Sequence, residues 1–191
     1  AGSDTFIEDQ SIILTGLWYG YSKWIDYNND GFLDMIISGY TNDAKVVAVV
    51  YKNNGSGGFA EQTGITITGV FKGCLDWGDY DNDGFPDLIV TGQGAGLTPS
   101  AKIYHNNRNG TFDEQTSIVL PQLIASTAKW GDYDNDGDLD IVITGYNGFY
   151  SSPITKTYKN NGNGAFTEDL FAILPGAGIS CANWGDYDGD G

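Results

Sequence analysis

One pattern recurs along this chain at a nearly fixed step, and no other feature limits its fold as tightly. WIDYNNDGFLDMIISG begins at Trp24, WGDYDNDGFPDLIVTG at Trp77, WGDYDNDGDLDIVITG at Trp130, and WGDYDGDG at Trp184. A second marker keeps the same step. Phe59, Phe112 and Phe166 close the segments YKNNGSGGF, IYHNNRNGTF and TYKNNGNGAF, with Phe6 one period earlier. The spacings are 53, 53 and 54 residues, near the period of about 40 to 50 residues that four-stranded propeller blades show.

Each period reads as four short strands. In the third unit, residues 124–133 form a first strand that runs into an Asp-rich turn, and residues 140–144 form a second, ended by Gly145. Residues 156–159 form a third, and an NNGNG turn at 160–164 leads to a fourth around Phe166. Asn-Gly turns accept the positive φ angles of tight hairpins, and no segment keeps a helical period. The fold class is therefore all-β. A four-stranded sheet with two apolar faces has to cover both, so the copies stack face to face as a β-propeller of four-stranded blades. Trp24, Trp77, Trp130 and Trp184, with the Val/Ile-rich second strands, are the expected packing between blades. The chain reads as a single propeller region, 1–191, with repeats near 6–58, 59–111 and 112–165 and a partial one at 166–191. That is about three and a half blades. A closed ring normally has at least about four, so the expectation is a piece of a larger propeller, or copies that assemble into a ring, filament or tube.

The chemistry sits in the turn between the first and second strand of each unit. Numbering each loop from its first Asp, loop two places Asp79, Asp81 and Asp83 at positions 1, 3 and 5, Gly84 at 6, and Asp87 at 9. Loop three has Asp132, Asp134, Asp136, Gly137 and Asp140, and loop one has Asp26, Asn28, Asp30, Gly31 and Asp34. Loop four supplies Asp186, Asp188 and Asp190 before the sequence stops. Alternate carboxylates converge when the backbone curls around a hard cation. The glycine permits the sharp turn, and the position-7 carbonyl of Phe32, Phe85 or Asp138 can join them. Oxygen-only ligands on a flexible loop favour Ca²⁺ over Mg²⁺, and the lack of a Cys/His cluster disfavours zinc. An ordinary Asp-Asn-Gly turn would explain one copy, but not so many carboxylates at the same spacing in every copy, since without a cation they repel one another. An EF-hand is excluded because its acidic position 12 is Ile37, Val90 or Ile143 here.

WGDYDNDGDLDIVITG followed by KTYKNNGNGAFTE closely resembles the FG-GAP and VCBS repeats of integrin-α-like propellers, over essentially the whole chain. The resemblance implies one structural Ca²⁺ per Asp-rich loop, three complete loops plus one truncated, in proteins that adhere to cells, matrix or glycans. Asn28 and the missing end of loop four depart from the family pattern.

Charge agrees with this placement. The formal net charge is −16, and 25 acidic residues face nine Lys plus Arg. The four loop segments hold three, four, five and three of the acids, which leaves the remainder nearly neutral. This argues against nucleic acid or an anionic membrane surface as partner. No apolar run reaches the roughly twenty residues of a membrane helix, and AGSDTFIED lacks the basic start and apolar stretch of a signal peptide. Cys74 and Cys181, each three residues before a repeat Trp, read as free, buried, small core residues. The single histidine, His105, stands where the other copies have Lys52 and Lys159 and reads as a surface strand residue. With no nucleophile–base arrangement apart from the loops, the chain is expected not to be an enzyme. Recognition is expected in the segments that vary most, 40–43, 93–100 and 146–153, together with the aromatic stretch 17–21; Phe149 and Tyr150 are candidates for stacking on a sugar. The expected function is a calcium-stabilised structural or adhesive module of a secreted or cell-surface protein. The alternatives are a carbohydrate-binding propeller and a self-assembling subunit.

Overall fold

The computed structural model describes residues 7–148, 151–162 and 164–186. Phe149, Tyr150, Asp188 and Asp190 lie outside the described residues. Twelve strands form three four-stranded antiparallel sheets, each in simple sequential order. The first comprises β1 (Trp18–Ile25), β2 (Asp34–Tyr40), β3 (Val46–Asn53) and β4 (Phe59–Glu61). The second comprises β5 (Phe71–Gly78), β6 (Asp87–Gln93), β7 (Pro99–Asn106) and β8 (Phe112–Glu114). The third comprises β9 (Leu123–Gly131), β10 (Asp140–Asn147), β11 (Ser152–Asn160) and β12 (Phe166–Glu168). The one helical element among the described residues is a single 3₁₀ turn, Ala95–Leu97. The protein is an all-β, propeller-type stack of four-stranded blades, as the repeat predicts.

Period-two alternation in the second strands makes the stack. Ile36 faces the second blade, where it joins Leu88, Val90, Leu75 and Tyr104, while its neighbours Met35 and Ile37 point to the opposite face. In β6 the next residue, Ile89, turns the other way and packs with Ile141, Ile143 and Leu123 of the third blade. Both faces of β6 are thus buried, which is why LIV reads as an uninterrupted apolar run rather than an alternation. Each fully buried Leu or Ile contributes about 1.5–3 kcal/mol, so the faces between blades dominate cohesion.

Two expectations change. Gly145 does not end the second strand: β10 runs on to Asn147. The glycine lies opposite an irregularity in β9, and a Cβ there would meet the Ser126 Cβ at 2.7 Å, so it permits close approach of two strands. Tyr19, Lys72 and Ala125, at the register shifts of the first strands β1, β5 and β9, hold φ of +49°, +47° and +47°, and Ile179 one period further on holds +50°. Left-handed backbone at a non-glycine costs roughly 1–2 kcal/mol, and here it recurs at the repeat spacing.

The tryptophans also divide. Trp130 is buried and stacks on Tyr80 of the preceding blade, with ring centroids 5.7 Å apart at 8°. Trp184 stacks likewise on Tyr133 (5.5 Å, 6°). Trp24 is instead 54% exposed, because no sheet precedes its face among the described residues.

Candidate metal centre

The Asp-rich loops lie at one end of each sheet, where β1 passes to β2, β5 to β6 and β9 to β10, and they share one hydrogen-bond plan. The position-1 carboxylate accepts from the amides of positions 5 and 6. For Asp79 these are Asp83 (2.9 Å) and Gly84 (2.8 Å); for Asp132, Asp136 (3.1 Å) and Gly137 (3.0 Å); for Asp26, Asp30 (3.0 Å) and Gly31 (2.7 Å). The position-5 carboxylate accepts from the position-7 amide, at 3.1, 2.8 and 3.0 Å in Phe32, Phe85 and Asp138. Gly31, Gly84 and Gly137 have φ of +88°, +88° and +92°, a backbone that a side chain would strain.

Position 9 begins the second strand and is fully buried as Asp34, Asp87 and Asp140. One oxygen of each accepts from the backbone amide that ends the third strand, Asn53 (2.7 Å), Asn106 (2.8 Å) and Asn160 (2.8 Å). Burial raises the pKa of all three carboxyls. Asp87 is pushed up to about 7, first by burial and, beyond that, by the charge of Asp81. A buried carboxylate this poorly compensated calls for a cation.

The donor set fits one. In loops two and three, one oxygen from each of Asp79, Asp81 and Asp83, and of Asp132, Asp134 and Asp136, lies within 4.8 Å of the others. In loop one, Asn28 replaces the middle carboxylate and donates to Asp34 (3.1 Å), so that site has one charge fewer. Asp186 is among the described residues, but its loop partners are not.

Successive loops are also joined. The side-chain amide of Asn29, at position 4, donates to the Gly84 carbonyl (2.8 Å). The side-chain amide of Asn82 donates to the Asp138 carboxylate (2.8 Å) and the Gly137 carbonyl (3.3 Å). Below them, Asn106 and Asn160 donate to the carbonyls of Tyr27 (2.8 Å) and Tyr80 (2.7 Å) in the preceding blade.

His105 is not a detached surface residue. Leu88 pairs with Tyr104 in the β6–β7 ladder, which sets His105 opposite Asp87. Its Nδ1 stands 3.3 Å from Oδ1 of Asp87 and 3.2 Å from Oδ2 of Asp81. A single histidine therefore lies beside loop two, with no cysteine among its candidate ligands. The counterparts in the other blades also reach their loops: Lys52 pairs with Asp30 (3.0 Å), and Lys159 with Asp134 and Asp136. Arg108 adds a contact to Asp83 (2.7 Å).

The first strands β1, β5 and β9 border a separate cavity of about 600 Å³, lined in part by Tyr19, Tyr21, Lys72, Lys129, Cys74 and Cys181. The two cysteines are free, as expected, but they are not core residues: Cys74 is half-buried and Cys181 exposed. The irregularity in β5 turns Cys74 toward this cavity rather than into the faces between blades.

Stacked four-stranded blades carrying an Asp-rich turn at the same corner define a repeat-built propeller. The FG-GAP-like repeat model matches residues 26–90, 79–143 and 132–191, and the chain belongs to that family. Among solved structures, it is similar to one that describes recognition of non-reducing terminal N-acetylglucosamine by an Agrocybe aegerita lectin. The TM-score is 0.52 at 21% identity over 77% of this chain. The match spans 37% of the lectin chain.

Proposed function

We propose that this protein is a calcium-binding structural or adhesive module of the cell exterior, without catalytic activity, in which Ca²⁺ rigidifies the loops that join successive blades. The carrying observation is the pairing, in loops two and three, of three convergent carboxylates with a fully buried fourth at position 9. Asp79, Asp81, Asp83 and Asp87 would hold one ion with the Phe85 carbonyl, and Asp132, Asp134, Asp136 and Asp140 another with the Asp138 carbonyl. Loop one offers Asp26, Asn28, Asp30, Asp34 and the Phe32 carbonyl. Calcium supplies the positive charge; the loop glycines and backbone amides hold the carboxylates in a curl around it. An ion that binds only the folded state stabilises it by about 2.7 kcal/mol per site at a hundredfold excess over Kd. The test is a thermal melt in millimolar calcium and in EGTA. Tm should fall by several degrees on chelation, and superimposable melts would refute a structural ion.

A carbohydrate-binding reading draws on a different observation. Trp18 and Tyr19 are 63% and 65% exposed beside Tyr40 and Thr41, and the Trp18 indole N–H donates to Asn42 (2.6 Å). These are two of the segments expected to carry recognition, and exposed aromatic faces beside polar groups suit sugar rings. The lectin similarity supports the fold of such a protein. A glycan array that includes terminal N-acetylglucosamine discriminates: sugar-dependent binding lost in Trp18→Ala supports this reading, and an empty array removes it.

A further inference from the structure

We propose that loop two is a nitrogen–oxygen site for a transition-metal dication of the zinc class, with His105, Asp81 and Asp87 as ligands. This rests on the reading that the loops hold a cation, and it adds that a zinc-class ion displaces calcium from loop two.

Three donor atoms, one from each residue, lie within 4.8 Å of one another. The imidazole Nδ1 is 3.2 Å and 3.3 Å from the two carboxylate oxygens. Two ligands of a tetrahedral ion with bonds of about 2.0 Å stand roughly 3.3 Å apart, so the two separations from the imidazole suit donors sharing one ion. Both contacts lie within ion-pair distance but are not hydrogen bonds. Nδ1 is shielded from solvent and has no hydrogen-bond partner, since neither close oxygen meets donor geometry. Asp87 is fully buried and fixed by the amides of Asn106 (2.8 Å) and Tyr80 (3.2 Å), so two of the three donors stand on paired strands rather than on the loop tip.

The sister blades sharpen the contrast. Met35 pairs with Tyr51 and Ile141 with Tyr158, so the equivalent places beside Asp34 and Asp140 belong to Lys52 and Lys159. An ammonium has no lone pair to offer a metal. An imidazole is a poor partner for calcium, which takes oxygen, and a good one for zinc and its neighbours. Loop two therefore takes a zinc-class ion in preference to calcium when both are offered, which loops one and three do not.

His105 is the single histidine in the sequence, so an imidazole signal is unambiguous and is blind to zinc taken up by Cys74 or Cys181. The test is a zinc chloride titration of the ¹⁵N-labelled chain in millimolar calcium, following the His105 ring nitrogens and the amides of Gly84 and Gly137. Zinc should shift the His105 Nδ1 and Gly84 resonances while Gly137 stays at its calcium-loaded position. His105→Lys, which installs the residue of the sister blades, should weaken zinc at Gly84 by about a hundredfold or more, at least the loss that follows removal of an outer-shell partner. A Gly84 response without movement of the imidazole, or one unchanged in His105→Lys, overturns the assignment, as does no response to zinc. If Gly137 still responds to calcium in those cases, only this assignment falls. If it does not, the calcium reading falls with it.

Discussion

The residue that decides most is the buried aspartate at position 9. A carboxylate with no solvent exposure gains less from two amide donors than it loses in hydration, so without a cation Asp87 opposes folding, and with one it becomes a ligand. Asp87→Asn separates the two states. In calcium the variant should lose loop two's share, about 2.7 kcal/mol at a hundredfold excess. In EGTA it should melt at or above the parent temperature, because a buried charge has gone. Equal losses in both buffers, measured by calorimetry, would mean that Asp87 serves packing alone. The ligand spacing at Asp79, Asp81, Asp83 and Asp87 was legible in the sequence because it lies along one stretch of chain. The role of His105 was not, because its partners lie across a strand pair. The signal available was the alignment of His105 with Lys52 and Lys159, each the penultimate residue of a third strand, opposite a position-9 aspartate.

At the scale of elements, each Asp-rich loop is joined to the next. Tyr80 leaves loop two and stacks on Trp130, while Asn82 bonds to loop three. Ordering one loop should therefore help its successor. Asn82 has φ of +57°, so Asn82→Gly keeps the turn and deletes only the bridge. Loss of one such bond is worth about 0.5–1.5 kcal/mol. Calcium affinity at loop three should drop by about two- to tenfold while its own carboxylates remain; isothermal titration that finds loop three unchanged would show the loops to be independent. Element order was readable from the repeat, but element ends were less so. Gly145 looks like punctuation, yet it is the glycine that lets β10 pass the bulge at Ser126, and a bulge leaves no local mark in composition. The same bulges carry Cys74 out of the packed faces, which is why a small apolar residue was misplaced in the core.

The whole molecule is a stack in which β6, the second strand of the middle blade, serves two neighbours. Ile89 and Val90, adjacent in sequence, belong to different faces between blades, so no blade is a separate folding unit, and a loop that stiffens one face stiffens the next. Trp24 shows the converse: the same residue in the same repeat is exposed where no sheet covers it. Repetition made the blades legible, but a tryptophan's burial depends on its neighbouring blade, which its own repeat does not encode. The account depends on cations held where these blades meet. The most direct measurement is anomalous diffraction from crystals grown in millimolar calcium. It should show one strong peak within about 2.3–2.6 Å of the carboxylates of Asp132, Asp134, Asp136 and Asp140, with a peak of calcium or a competing metal at loop two. Both loops without a peak, with those carboxylates turned into solvent, would contradict it.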